Sequence, residues 1–436
     1  MSKFKLTQLR RNILSGSVVQ GLNISIIFFS YPLYIHFLGF EQFSVWVLLS
    51  VIISFAQFGD FGIGKAIINH VAAVNREEDK KKNLNIQKIL LNGLAVVIFI
   101  SIIIQLIINI FTNDIIQLLN VPPKYVLQAT FVVPLIGISI FLFLVYDCIA
   151  SVLTGMGRLD IYNALLLFLN IIKISLTITL LVYKPQISSM VYGVLFSNIL
   201  LIGIIVIILL RNKISFRFRL HTVSLKIIKQ LLTFGIPLLG IQTVNVIMFP
   251  FIKIVISRFF GIEFVGFFEL ATKAAYSFRT LFEKGLFALL PEFSKHSETY
   301  FTDNMSREKL REGVLRMTKI VAKFGIPTLV LVSLFSGFLL KLWLNKSFTP
   351  SIHTGFLLLQ PGIIVGLVSL PAYYALMAMR KQVYCFMESI IRLLITFVMF
   401  SLFFIIKLDF VYVFIFVSTA VVASNVFVLF SFRYKV

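Results

Sequence analysis

Twelve runs of about twenty apolar residues, separated by short polar punctuation, constrain this chain more than any other feature. They centre on 13–36, 43–68, 89–110, 126–149, 163–183, 188–210, 231–257, 263–290, 317–341, 353–379, 387–406 and 411–432. At 1.5 Å rise per residue, a helix of that length crosses a hydrocarbon core of about 30 Å. The rest of the chain agrees: 59% of its 436 residues are hydrophobic and 13% charged, and mean hydropathy is +0.97. Ordinary soluble domains are roughly 45–50% apolar and about 25% charged. The expected fold class is all-α, a polytopic integral membrane protein of about 12 transmembrane helices with no soluble domain. Its first run follows KFKLTQLRRN with no small-residue cleavage site before the next, so it reads as a retained helix rather than a signal peptide.

A formal charge of +22 would suggest nucleic acid for a soluble protein, but cytoplasmic loops of membrane proteins are rich in Lys and Arg. Placing the N-terminus in the cytoplasm puts most of the 40 Lys and Arg on the cytoplasmic side. The expectation is a multi-pass protein of the inner (cytoplasmic) membrane, N-in and C-in, with lipids rather than nucleic acid as its surroundings. Trp46 and Trp343 then both fall at the outer interface, where indole is favoured. Cys148 and Cys385 lack metal-ligand spacing and lie near the cytoplasmic side, so they read as packing residues.

The segment RNKISFRFRLHTVSLKIIKQ, residues 211–230, divides the runs six and six. Sliding the chain from Gly39 to Gly261, an offset of 222 positions, aligns VVQGLN with GIQTVN and FLGFEQF with FFGIEFV. Gln20, Asn23 and Glu41 thereby meet Gln242, Asn245 and Glu263. Arg158 and Tyr162 meet Arg380 and Tyr384, and Arg211 and Lys213 meet Arg433 and Lys435. The expected organisation is two six-helix bundles, 1–213 and 231–436, joined by a cytoplasmic linker at 214–230. An even number of spans gives both halves one orientation, related by an axis along the membrane normal. Pro32, Pro134, Pro237, Pro250, Pro327, Pro361 and Pro371 fall inside runs, and each removes a backbone donor and favours a bend.

A charge at the bilayer centre costs about 2.5–3.5 kcal/mol even on insertion scales, so such residues should face a partner or a water-filled cavity. Lys173 and Lys273 lie too deep to reach headgroups; Lys253 and Arg392 lie nearer span ends and are expected to snorkel. Glu269 with Lys273, and Arg279 with Glu283, are spaced i, i+4, a spacing suited to ion pairs. The same face also carries Tyr276, so these residues could equally line a binding surface. Asp60 sits in the inner part of its span among Gly59, Gly62 and Gly64, as either a helix-packing contact or a proton or cation site. No nucleotide loop, metal cluster or nucleophile arrangement is present, so neither catalytic residues nor a cofactor are expected.

FLGFEQFSVWVLL followed by FGDFGIGKAIINHVA resembles the second-span signature of polysaccharide-repeat flippases, the Wzx-like branch of the MATE-like transporter superfamily. GIEFVGFFELATKAAYSFRTLFEKGLFALLPEFSKH, with its Pro291-Glu292-Phe293 turn, is similar to that family's eighth span, and TGMGRLDIYN to its fourth-to-fifth loop. The resemblance implies transport, by alternating access, of a polyprenyl-diphosphate-linked oligosaccharide such as an O-antigen repeat, with other polysaccharide-assembly proteins as partners. Under it, Lys173, Lys273 and Arg279 would meet the diphosphate, and Gln20, Asn23, Gln242, Asn245 and Tyr276 the sugar hydroxyls. Asp60 and Glu269 would be the ion-coupling candidates. The rivals are a cation-coupled multidrug antiporter, which would want a net acidic cavity, and a membrane polysaccharide polymerase, which would want a larger external loop than FTNDIIQLLNVPPKYV.

Overall fold

The computed structural model describes the backbone of residues 3–59, 62–76, 82–212, 214, 223–287, 304–379 and 381–435. Over these residues all twelve runs fall on helices. By internal contacts the chain divides into two units, Met1–Pro250 and Phe251–Val436. The first contains α1 (Lys3–Leu38), α2 (Phe40–Gly59), α3 (Ile63–Arg76), α4 (Lys82–Ile110), α5 (Thr112–Leu118), α6 (Pro123–Gly155), α7 (Leu159–Tyr183), α8 (Ile187–Arg211) and the start of α9 (Leu225–Phe259). The second holds the remainder of α9, then α10 (Ile262–Phe287), α11 (Asn304–Ile320), a π-turn over Val321–Gly325, α12 (Ile326–Leu344), α13 (Pro350–Ala378), α14 (Gln382–Ile405) and α15 (Val411–Lys435). Nine of the described helical stretches are long and apolar enough to cross a membrane. This is a multi-pass membrane protein. Of the expected linker at 214–230, residues 215–222 lie outside the described residues, and 225–230 already form the first turns of α9.

Several helices outrun their apolar segments. Expected from residue 13, α1 begins at Lys3, and α11 begins at Asn304 ahead of a run expected from 317. Charged turns continue the helical ladder beyond the hydrocarbon, where hydropathy no longer reports it. Pro32, Pro134, Pro361 and Pro371 sit inside unbroken helices. Pro327 follows the π-turn, since its ring crowds the carbonyl four residues back and widens the preceding turn. The stretch around FTNDIIQLLNVPPKYV is not all loop: its first half is α5, with Thr112 and Ile116 buried.

The second run, expected as one span over 43–68, is interrupted. Helix α2 ends at Gly59 and α3 starts at Ile63, after Gly62 at φ 70°. Glycine adopts that left-handed conformation without the clash a side chain would bring. It also permits contact between backbones: a Cβ on Gly62 would lie 2.7 Å from the Cα of Gly235 in α9. The Asn92 Oδ1 of α4 accepts the N–H of Ser224 at 2.7 Å, just before α9 begins.

Each unit is organised around its fourth span. In the first, α6 touches α2, α3, α4, α7 and α8; in the second, α13 touches α10, α11, α12, α14 and α15. The boundaries recur at the 222-residue offset as well. Lys3 and Tyr183, the ends of α1 and α7, fall opposite Leu225 and Ile405, the ends of α9 and α14. Gly39 and Gly261, both at positive φ, occupy the same turn.

Lipid is as apolar as leucine, so helix association here depends on close packing rather than on hydrophobic transfer. Large side chains accordingly face outward, Leu334 being 78% exposed, while small residues mark the crossings. Gly355 of α13 receives the Phe414 ring of α15. One heptad on, the Gly362 N–H donates to Ser418 Oγ at 3.1 Å, and after another the Ser369 hydroxyl donates to Asn425 Oδ1. Phe414 also packs beside Phe268 and Phe410.

Candidate substrate and ion sites

In the first unit an amide chain joins α1 to α7. Asn170 Nδ2 donates to Asn23 Oδ1 at 3.2 Å, and Lys173 Nζ donates to Asn170 Oδ1 at 2.9 Å. Asn23 is buried. Asn170 escaped the sequence reading although it lies one turn before Lys173 on the same face. Asn170→Leu is expected to remove about 1 kcal/mol of stability, in the range measured for interhelical hydrogen bonds in membranes. A lowered thermal midpoint in detergent would show this, with Asn170→Asp restoring the lysine contact.

In the second unit, α10 carries the expected row of Glu269, Lys273, Tyr276 and Arg279. Glu269 reaches across to α9, pairing with Lys253 at 2.8 Å with both side chains largely buried. Lys253 is therefore an ion-pair partner inside the bundle, not the headgroup-seeking residue expected. Lys273 lies within electrostatic reach of both. Among the described residues, the two cations Lys253 and Lys273 lie beside the Glu269 carboxylate.

Arg279 differs from the expectation in a second way. The i, i+4 pair with Glu283 is not formed, and among the described residues the guanidinium has no carboxylate partner. Its Nε is buried without a hydrogen bond. The guanidinium lies over the Tyr276 ring at 5.9 Å and against α13 at Gly366, where a Cβ would come within 3.3 Å of it. Tyr374 of α13 lies in electrostatic reach of both Arg279 and Glu283.

Beside this row, α14 holds a pair that sequence reasoning did not assemble. Glu388 is 4% exposed and accepts from Ser424 Oγ of α15 at 2.9 Å and from Ser389 Oγ at 3.2 Å. Arg392, one turn on, donates to it at 3.5 Å, its side chain only 14% exposed. Burial among helices corrects the expectation that Arg392 snorkels. The i, i+4 spacing was the available signal.

The side chains of Gln20, Gln242 and Asn245, and Asp60 altogether, lie outside the described residues. A cavity of about 410 Å³ in the second unit, lined by Phe260, Phe264, Phe410, Phe414 and Asp409 among others, includes none of the expected site residues. Cys148 and Cys385 are both buried and not disulfide-bonded.

The fold is that of the MATE-like transporters. An inward-facing multidrug resistance MATE family transporter of the MOP superfamily aligns with TM-score 0.78 at 13% identity, over 94% of each chain. Its outward-facing counterpart gives 0.66 at 15% identity, over 98% of this chain and 97% of that one. A MOP superfamily transporter from Pyrococcus furiosus, described as having a binding pocket of reversed polarity, gives 0.66 at 14% identity, over 97% and 95%. Residues 36–353 match the family of polysaccharide biosynthesis proteins, and the chain belongs to that family. A Shigella flexneri protein assigned as an O-antigen transporter is 19% identical over 349 residues, 79% of each chain. Family and fold together make this a multi-pass membrane protein of the polysaccharide biosynthesis family with the MATE-like fold.

Proposed function

We propose that the chain is a flippase, moving a polyprenyl-diphosphate-linked oligosaccharide repeat from the inner to the outer leaflet of the cytoplasmic membrane, N-in and C-in, by alternating access. The observation that carries this reading is the half-buried guanidinium of Arg279, which has no carboxylate partner among the described residues and whose Nε is buried without a hydrogen bond. A cation held inside the membrane without a counter-ion is costly, and a diphosphate offers the oxygens its fork matches. Lys173 and Lys273 add positive charge, while Asn23, Gln20, Gln242, Asn245 and Tyr276 supply groups for sugar hydroxyls. Asp60 and Glu269 remain the ion-coupling candidates. Outward movement of a dianion is itself assisted by an inside-negative potential, at about 2.3 kcal/mol per charge per 100 mV.

A multidrug antiporter is the second reading, because the aligned MATE structures carry that description. It is disfavoured by Glu269 and Glu388, whose carboxylates are already matched to Lys253 and Arg392 and so offer organic cations little. Reconstitution separates the two. Vesicles holding the protein should expose a short-chain prenyl-diphospho-oligosaccharide to an external lectin faster than protein-free vesicles, and should not extrude ethidium. Ethidium extrusion without lipid flipping would establish the antiporter instead.

A further inference from the structure

We propose that the cavity of about 410 Å³ in the second unit is a binding site for the headgroup of an ethanolamine phospholipid. The inference is independent of the flippase reading. Phe260 reaches the cavity from the turn between α9 and α10, Pro350 and Ser351 from the start of α13, and Asp409 and Phe410 from the turn between α14 and α15. Counted along the chain these are alternate turns between successive spans, so they share one membrane surface, at headgroup level rather than at the bilayer centre. The volume is that of a small-molecule site, which runs from about 300 to about 1,000 Å³.

Comparison of the two halves shows that the fold does not impose this opening. In the first unit, Glu41 near the start of α2 pairs with Lys124 near the start of α6 and ties those helix ends together. Glu263 and Lys346, which stand at the same places in the second half, form no ion pair among the described residues. Phe260, Phe264 and Phe410 stand opposite Leu38, Gln42 and Ser188. The aromatic wall therefore belongs to the second half alone.

Aromatic faces carry partial negative charge and attract an ammonium group. Phe264 meets Phe410 with ring centroids 4.8 Å apart, and Phe410 meets Phe414 at 5.1 Å, both edge-to-face, so each ring is held by the next. The polar wall is acidic. Asp409 is exposed and pairs with no cation among the described residues. Its carbonyl, not its carboxylate, accepts the Tyr412 N–H at 3.1 Å. A primary ammonium offers three donors to that carboxylate and to the hydroxyls of Ser351 and Thr354, whereas a trimethylammonium offers none. The surroundings favour a lipid as its carrier. Val411 on the cavity wall is 41% exposed, and Ile405, where α14 leads into the same turn, is 76% exposed. Acyl chains can lie on this apolar flank while the headgroup enters the cavity.

The test is retention of lipid by the full-length purified protein, equilibrated in detergent with equal amounts of dioleoyl phosphatidylethanolamine, phosphatidylcholine and phosphatidylglycerol and read by native mass spectrometry. Wild type is expected to retain phosphatidylethanolamine about tenfold over the other two, the size a desolvated ammonium–aromatic contact can give. Asp409→Asn and Phe264→Leu should each lower it to the level of the others. Asp114→Asn, which removes an exposed carboxylate from α5 in the first unit, should leave the preference intact. Equal retention of the three lipids, preference for either of the other two, or unchanged retention of phosphatidylethanolamine in either cavity variant overturns the proposal. Displacement of the lipid by free glucosamine would give the cavity to an amino sugar and overturn it as well.

Discussion

Replacing Gly62 with alanine is expected to remove most of the folded protein. Two costs combine at this position. An L residue at φ 70° pays roughly 1–2 kcal/mol of backbone strain. Its Cβ would also lie 2.6 Å from the carbonyl carbon and 2.7 Å from the Cα of Gly235. Both are main-chain atoms that no rotamer change can move aside, and overpacking of this kind costs typically about 1–3 kcal/mol. Against a total stability of about 5–15 kcal/mol, the sum is severe. The measurement is the monodisperse fraction on size-exclusion chromatography of a fluorescent fusion. Gly39→Ala is the control, since Gly39 is at φ 75° with nothing within 4 Å of its added Cβ. Equal yields from the two variants would show that the α3 contact with α9 carries no weight.

Arg279→Gln is expected to lower flipping of a prenyl-diphospho-oligosaccharide by about 10- to 100-fold. Charge-assisted hydrogen bonds contribute about 1.5–3 kcal/mol each, and each 1.4 kcal/mol is about tenfold. Expression should not fall, because the substitution removes a guanidinium whose buried Nε is unsatisfied. Arg279→Lys should recover only part of the rate, having charge but no planar fork. Gly366→Ala should fall between, since its Cβ would meet the guanidinium at 3.3 Å and displace it slightly. Initial rates in reconstituted vesicles decide the matter, and wild-type flipping by Arg279→Gln would exclude this arginine from the substrate path.

How far the fold could be read from sequence depended on what the membrane makes visible. Apolar runs report the hydrocarbon directly, so the spans were legible, and the polar turns by which α1 and α11 extend beyond it were not. Interactions along a helix leave a spacing and those across helices leave none. Arg279 and Glu283 had the spacing of a pair, yet Tyr276 and Gly366 receive the guanidinium instead. Lys253 and Glu269 had no such spacing and are joined at 2.8 Å, because only the packing of α9 on α10 brings them together. Glu388 and Arg392 did have it, but their burial depends on α15 supplying Ser424. Asn170 went unnoticed because an amide in an apolar helix carries no charge to mark it.

The turns at Gly39 and Gly261 have a mechanical consequence. One residue joins α1 to α2 and two join α9 to α10, and a Cβ on either glycine would meet nothing within 4 Å. A connection this short fixes the separation of the helix ends it joins, so neither helix can advance past the other along its axis. The open space around the glycine leaves rotation about the junction unobstructed. Each pair is therefore built like a pair of compasses, with a fixed apex and legs that can spread, and the same joint is present once in each unit. Any widening between these legs must grow with distance from the glycine. In the first unit the end remote from the turn, where α1 begins, would then have the longest travel.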